Sequence, residues 1–240
     1  MKKLLSLSVA TLALAAMADG YNAIQVGVTE ISATTKNVVI PVPYTTIGSS
    51  EPVSVHDLVK VANLPDRTLL YYFDSTSGSY NAWMKNSNGD AWDGVEVVKE
   101  SGITAAAGTS EINIPVGNAL WVVFPSVPSS DQKIYVYGNP TTPSTTAIAR
   151  GKANLIGNPT SAQFSLAGKV NNPTVGDKII DLTAEVYTEY VFRGENVWWK
   201  REGSTVIKDA TLPSIPANGG IWYISAVADG ENQSINWASN

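Results

Sequence analysis

The chain has 240 residues, a formal net charge of −5 and only 15% charged residues. Such an acidic, sparsely charged surface repels phosphate, which argues against a nucleic-acid partner and against a basic face for anionic lipid. Cysteine is absent, which excludes a disulfide framework and any thiolate metal or redox centre; the single histidine, His56, is a poor basis for a catalytic triad or a zinc site.

Residues 1–18 read as a signal peptide. Lys2 and Lys3 open it, Leu4 to Ala16 is an uncharged apolar run, and Ala16-Met17-Ala18 offers the small-x-small pattern of a cleavage site. The run is shorter than the roughly 20 residues that cross a bilayer. Cleavage leaves a chain that starts at Asp19, and loss of the two lysines takes the formal charge from −5 to −7. The expectation is an exported protein, in the periplasm, at the cell surface or outside, with no membrane span after cleavage and no cofactor.

Beyond that segment the sequence is rich in Thr, Val, Ile, Tyr and Trp, in short alternating runs broken by turn residues. That is the pattern of an antiparallel all-β protein. Strands are predicted over 23–31, 37–43, 68–74, 80–85, 95–99, 119–124 and 133–137. The second half adds 153–156, 178–183, 188–193, 197–201, 220–226 and 234–238. Ser77-Gly78, Asn88-Gly89 and Asp229-Gly230 supply the positive φ that tight hairpins require. Two tetrads, Ser54-x-x-Asp57 and Thr160-x-x-Gln163, look like helix-capping boxes. They predict short helices over 55–63 and 162–170, the second weakened by Gly168.

An internal repeat organises these elements. Ile114-Pro115-Val116-Gly117-Asn118-Ala119-Leu120-Trp121 matches Ile215-Pro216-Ala217-Asn218-Gly219-Gly220-Ile221-Trp222, an offset of 101. Upstream, Pro65-Asp66-Arg67 pairs with Gly176-Asp177-Lys178 at an offset of 111, and Val42-Pro43 pairs with Asn158-Pro159. The Ala/Gly/Thr-rich stretch 102–110 reads as an insertion loop in the first half. The sequence therefore predicts two tandem related β-barrel or β-sandwich units, 19–138 and 139–240, each with one short helix. The boundary is the polar stretch 138–146.

The motifs Asn154-Leu155-Ile156-Gly157-Asn158-Pro159, Gly176-Asp177-Lys178 and Ile215-Pro216 ahead of Gly219-Gly220-Ile221-Trp222 resemble a family of exported two-unit β proteins of verrucomicrobial-type bacteria. Members share an NLIGNP-like turn and a PxGxxFW-like strand, and here Ile221 stands where an aromatic residue is usual. The resemblance implies a signal peptide and two β units, and no particular chemistry.

The seven tryptophans are the first candidates for a site. Trp121 and Trp222 occupy equivalent repeat positions in apolar strands and are expected to anchor the two cores. Trp198 and Trp199 are adjacent in one strand, so at most one faces the core and the other is available for sugar stacking or a protein contact. Asn86-Ser87-Asn88-Gly89-Asp90 with Asp93 has oxygen ligands in the spirit of a calcium loop, yet Val97 stands where the closing glutamate belongs. Glu185 with Glu189, or Asp90 with Asp93, would be the carboxylate pair of a glycosidase, a pattern with almost no specificity. No nucleophile elbow or phosphate loop is present in the sequence.

These readings favour a non-catalytic exported structural or surface protein, self-assembling through strand edges and exposed aromatics of its second half. Its partner is then a copy of itself or a cell-surface component. The alternative is a secreted carbohydrate- or peptide-binding module using Trp198 or Trp199.

Overall fold

The computed structural model describes residues 26–87, 91–98, 104–128, 132–141, 143–182, 186–217 and 219–238. The signal peptide predicted over 1–18 lies outside them. The protein is all-β. In chain order, the elements are β1 (Gly27–Ala33), β2 (Asn37–Pro41), β3 (Tyr44–Thr45), β4 (Val53–Ser54), α1 (Val55–Leu58), β5 (Leu69–Asp74), β6 (Ser79–Lys85), β7 (Trp92–Gly94), β8 (Val97–Val98), β9 (Thr104–Ala107), β10 (Asn113–Ile114), β11 (Ala119–Val123) and β12 (Gln132–Pro140). They continue as β13 (Thr145–Ile148), β14 (Ala153–Gly157), β15 (Phe164–Ser165), β16 (Val170–Asn171), β17 (Lys178–Asp181), β18 (Thr188–Gly194), β19 (Val197–Glu202), β20 (Thr205–Ile207), β21 (Ser214–Ile215), β22 (Gly220–Ile224) and β23 (Gln233–Asn236). No helix among the described residues is long and apolar enough to cross a membrane.

The strand ladders fall into two sets, changing over between Pro140 and Thr145. In the first, a seven-stranded sheet runs β2-β11-β5-β6-β9-β8 with β7 against β6, faced by the three-stranded sheet β1-β12-β3 and the pair β10-β4. In the second, a six-stranded sheet runs β14-β22-β17-β18-β19-β20, beside β13-β23-β16 and the pair β15-β21. Alternation along each strand sends one side chain in two toward the interior. Ile40, Leu70, Trp83, Leu120 and Val122 of the large sheet meet Ile31, Ile134 and Val136 of the small one in the first core. Ile156, Ile179, Tyr190, Ile221 and Tyr223 meet Ile148 and Ile235 in the second.

Only the first predicted helix forms, and it is a single turn. The Ser54 hydroxyl oxygen accepts from the Asp57 amide at 3.2 Å, and Val55 and Leu58 are buried beneath the turn. The second is absent, a correction to the expectation of one helix per unit. Gly168 sits at φ +68 in a turn, and Phe164–Ser165 and Val170–Asn171 on either side are strands. Thr160 donates its hydroxyl to Asn158 Oδ1 at 2.7 Å instead of capping a helix. The expected insertion loop over 102–110 also gives way in part to structure, because Thr104–Ala107 is β9, parallel to β6.

Backbone registers correct the repeat upstream of β5. Trp121 lies opposite Tyr71 and Trp222 opposite Ile180, which sets the offset there at 109. Arg67 and Thr68 are thus the counterparts of Gly176 and Asp177. Arg67 takes φ +64 and Gly176 φ +95, and both amides bond across to the following strand, on Lys85 and Phe192. Asp66 is an exposed ion-pair partner of Lys85 at 3.2 Å. Asp177, by contrast, is fully buried. Its carboxylate accepts from Tyr223 Oη at 2.7 Å, Gln233 Nε2 at 2.6 Å, and the amides of Thr174 and Ala226, each at 2.7 Å. Four donors around one carboxylate tie β17, β22 and β23 together without leaving a buried charge unsatisfied.

The two sets meet edge to edge where β2 and β11 come against β14 and β22. Gly157 donates its amide to the Gly117 carbonyl at 2.9 Å, and Asn118 bridges Ile156. Close approach demands glycine. A Cβ on Gly157 would lie 2.6 Å from Pro41 Cα and 2.8 Å from the Asn118 carbonyl oxygen, and one on Gly220 2.8 Å from the Ile156 carbonyl oxygen. Gly117 holds φ +87 with no room before Thr146 Oγ1. Rings close the seam on one side, Phe73 against Trp222 at 5.1 Å and 80°, and Lys152 Nζ donates to the Thr76 carbonyl across it.

Gly157→Ala is expected to cost about 1–3 kcal/mol in urea unfolding, because the atoms it would strike are backbone and cannot rotate away. Alkali gives a second check. Burial, with Asp74 nearby, pushes the Tyr72 phenol up to about 12 from 10.0, and burial and Asp177 push Tyr223 up further. The folded chain holds these protons more tightly than the unfolded one, so their contribution is intact below pH 10; that of Tyr72 is lost as pH rises through 12, and part of that of Tyr223 persists above it. Tyr72 alone should account for about 3 kcal/mol of lost stability over that interval, and Tyr72→Phe should make that part of the curve shallower, leaving the slope that Tyr223 supplies.

Candidate functional site

The structure separates the two tryptophans singled out in β19. Trp198 points inward, is 6% exposed and packs its ring on Phe192 at 5.1 Å. One side of it still lines an open cleft of about 380 Å³, whose polar wall is Asn196, Asp209 and Thr211. Asn196 and Asp209 both hold positive φ, at 61° and 54°, which brings the loops on either side of β19 and β20 around the cleft mouth. Trp199 points to the opposite face and is half-buried. Arg193 Cζ lies 4.8 Å from its ring centroid and Lys208 Nζ 5.2 Å, so two cations already contact this ring.

Beside them, β20 is the outermost strand of its sheet among the described residues and pairs there only with β19. All three of its residues are exposed, Val206 at 55% and Ile207 at 44%. Val186 and Tyr187 are exposed as well, and the Gly203 amide of the β19–β20 turn donates to the Tyr187 carbonyl. An unpaired strand edge with apolar side chains is a template for another strand.

Trp121 and Trp222 do not anchor the cores, contrary to expectation. Leu120 and Val122, and Ile221 and Tyr223, take the inward positions, and alternation puts each tryptophan on the far face of its sheet, half-buried. The core indoles are Trp83, Trp92, Trp198 and Trp237. Trp92 Nε1 donates to the Val59 carbonyl at 2.8 Å and Trp237 Nε1 to Thr146 Oγ1 at 2.7 Å. On the far face of the first large sheet Tyr71, Ala82 and Ala105 form a separate apolar cluster with Tyr80, Val97 and Trp121 around it. Burial raises the phenol pKa of both Tyr71 and Tyr80. Sequence reasoning missed this cluster because both faces of β11 are apolar, so the run 119–123 carries no alternation to tell inside from outside.

Each of the two acidic candidate pairs has one member outside the described residues. Asn88, Gly89, Asp90 and Glu185 lie outside the described residues. Glu189 is buried in the sheet, accepting from Tyr187 Oη at 3.1 Å, with Arg201 at 3.7 Å and Lys178 at 3.9 Å. Among the described residues no cluster of three or more His, Asp or Glu side chains is arranged to hold a metal ion.

The opposed orientations of the two β19 tryptophans predict unequal losses. Trp198→Ala should cost about 3–5 kcal/mol by leaving a hole in the second core, and Trp199→Ala about 1–2 kcal/mol through the cation contacts alone. Equal losses in urea unfolding would contradict the assignment of inner and outer faces. No protein-family model, curated protein or solved structure matches the chain.

Proposed function

We propose that the chain is a non-catalytic, exported structural or surface protein, built from two related β units and associating with copies of itself through the free edge of β20. The observation that carries this reading is that edge. Among the described residues it is unpaired on its outer side, presents Val206 and Ile207 to solvent, and adjoins the exposed Val186 and Tyr187. The low charge of the chain as a whole supports it. Export is carried by residues 1–18 as read from the sequence.

A second reading, a carbohydrate- or peptide-binding module, is favoured by the cleft at Trp198. An indole lining a cleft together with an amide, a carboxylate and a hydroxyl is the chemistry that holds a sugar ring or an extended peptide.

Electron microscopy and light scattering of the chain from residue 19 onward, over a concentration series, distinguish the two. Self-association predicts ordered filaments, tubes or sheets that grow with concentration and vanish in Val206→Lys, whose melting temperature stays within a few degrees of the parent. A monomer at every concentration sinks the first reading. Saturable tryptophan quenching by a soluble polysaccharide or peptide, lost in Asp209→Ala, then establishes the second.

A further inference from the structure

The far face of the second large sheet concentrates positive charge that neither reading uses, and the net acidity of the chain conceals it. Strand registers set Lys178 of β17, Val191 of β18 and Trp199 of β19 side by side in one row, with Glu189, Arg201 and Val206 in the next. Lys208, one residue beyond β20, ends the first row with its Nζ 5.2 Å from the Trp199 ring centroid. Arg193 reaches the same ring from the other side of that row, its Cζ 4.8 Å from the centroid. Four cations therefore surround one indole. With strands about 4.8 Å apart and residues about 3.4 Å apart along them, the four span about 14 Å across the sheet and about 13 Å along it.

The charge is open to a partner. The Lys178 and Arg201 side chains are 44% and 58% exposed, and Arg193 and Lys208 are exposed as well. Among the described residues of β17 to β20, Glu189 is the only carboxylate on this face; it is buried, and its oxygens lie 3.9 Å from Lys178 Nζ and 3.7 Å from Arg201 Nη1. Neither Arg193 nor Lys208 is in an ion pair among the described residues.

The surroundings decide which anion fits. The four cations and Glu189 sum to +3, so the rest of the chain carries −8 within its total of −5. A nucleic-acid duplex or an anionic bilayer spreads charge broadly and would bring that remainder within the roughly 8 Å reach of electrostatics at physiological salt. A single flexible anionic chain lies on the patch alone. Arginine forks take carboxylates in bidentate fashion. Contact with the Trp199 ring holds Arg193 and Lys208 near one arrangement before any partner arrives, which lowers the ordering cost of binding. Half-buried Val191 and exposed Val206 put apolar surface between the charges, where the C–H faces of sugar rings can rest.

We propose that this face binds an acidic polysaccharide, a chain of carboxylate-bearing sugars laid across Arg193, Trp199 and Lys208, with Lys178 and Arg201 taking further carboxylates. The site rests neither on pairing at the β20 edge nor on the Trp198 cleft, which opens on the other face of the sheet.

The probe is polygalacturonate, titrated into the full chain by calorimetry, with its fully methyl-esterified form as the same backbone without charge. Duplex DNA and vesicles of phosphatidylcholine with phosphatidylserine are the competing polyanions. Polygalacturonate should bind saturably and weaken about tenfold or more as ionic strength rises from about 0.05 M to about 0.5 M, while the ester does not bind. The double variant Arg193→Gln, Lys208→Gln should lose about tenfold in affinity. Lys36→Gln with Lys60→Gln removes two exposed cations of the first half, matches that variant in net charge, and should stay within about twofold of the parent. All four positions are exposed, so both variants should melt within a few degrees of the parent. Absence of saturable binding, equal affinity for the ester, equal losses in the two double variants, or tighter binding of DNA or of the vesicles would each overturn the proposal.

Discussion

Contact between two backbones at the glycine seam is the constraint on which the arrangement of the sheets depends. The Gly157 amide reaches the Gly117 carbonyl at 2.9 Å, which is possible only because neither residue, nor Gly220 beside them, carries a Cβ. The benefit extends beyond one hydrogen bond. With the ends of β2 and β14 held together, the two large sheets meet at this edge, and Phe73 comes within ring contact of Trp222. The edge that stays open in the second sheet is therefore the opposite one, at β20.

The same seam explains why the sequence motifs stood out. In Asn154-Leu155-Ile156-Gly157-Asn158-Pro159 almost every polar or small residue has a backbone task. Asn154 accepts from the Ala149 amide at 2.8 Å and donates to the carbonyls of Ala149 and Lys152, each at 3.1 Å. Asn158, fully buried, donates to the carbonyls of Ala162, Ile215 and Pro216. Its Oδ1 accepts from the Thr160 amide, so one side chain joins the turn to β21. A side chain shorter or longer than asparagine would not reach these partners at once. The repeat is thus a record of how loops and edges are tied, and it carries no reactive group.

Fold class was legible because alternation and turn chemistry are local signals, and most predicted strands lie where β1, β2, β5, β6, β11, β12, β17–β19 and β22 are found. Two kinds of feature were not legible. Capping boxes are two-residue signals, and tertiary demands overrode the second: Asn158 bonds Thr160, and Gly168 turns the chain. Strands apolar on both faces hide their orientation, which is why Trp121 and Trp222 were placed in the cores and Trp83, an indole with 0% exposure, was not distinguished. The Trp198–Trp199 pair was readable, because period-two alternation forces adjacent residues apart. That Arg193 and Lys208 would contact Trp199 was not, since the register of β18 to β19 includes a bulge at Phe192–Gly194.

Both candidate sites arise where the two large sheets differ. From the seam outward they run alike, β2-β11-β5-β6 against β14-β22-β17-β18. Beyond that point the first sheet adds β9, parallel to β6, and β8 after it. Ala105 and Val97 of these strands lie on the far face, in the apolar cluster with Tyr71, Tyr80 and Trp121. The second sheet instead continues by hairpins through β19 to β20, which carries Trp198 beside one cleft and ends on an exposed apolar edge. An identical scaffold would have given one site twice. Divergence of the outer strands thus yields an apolar aromatic cluster on the far face of one sheet and, among the described residues, an unpaired edge on the other.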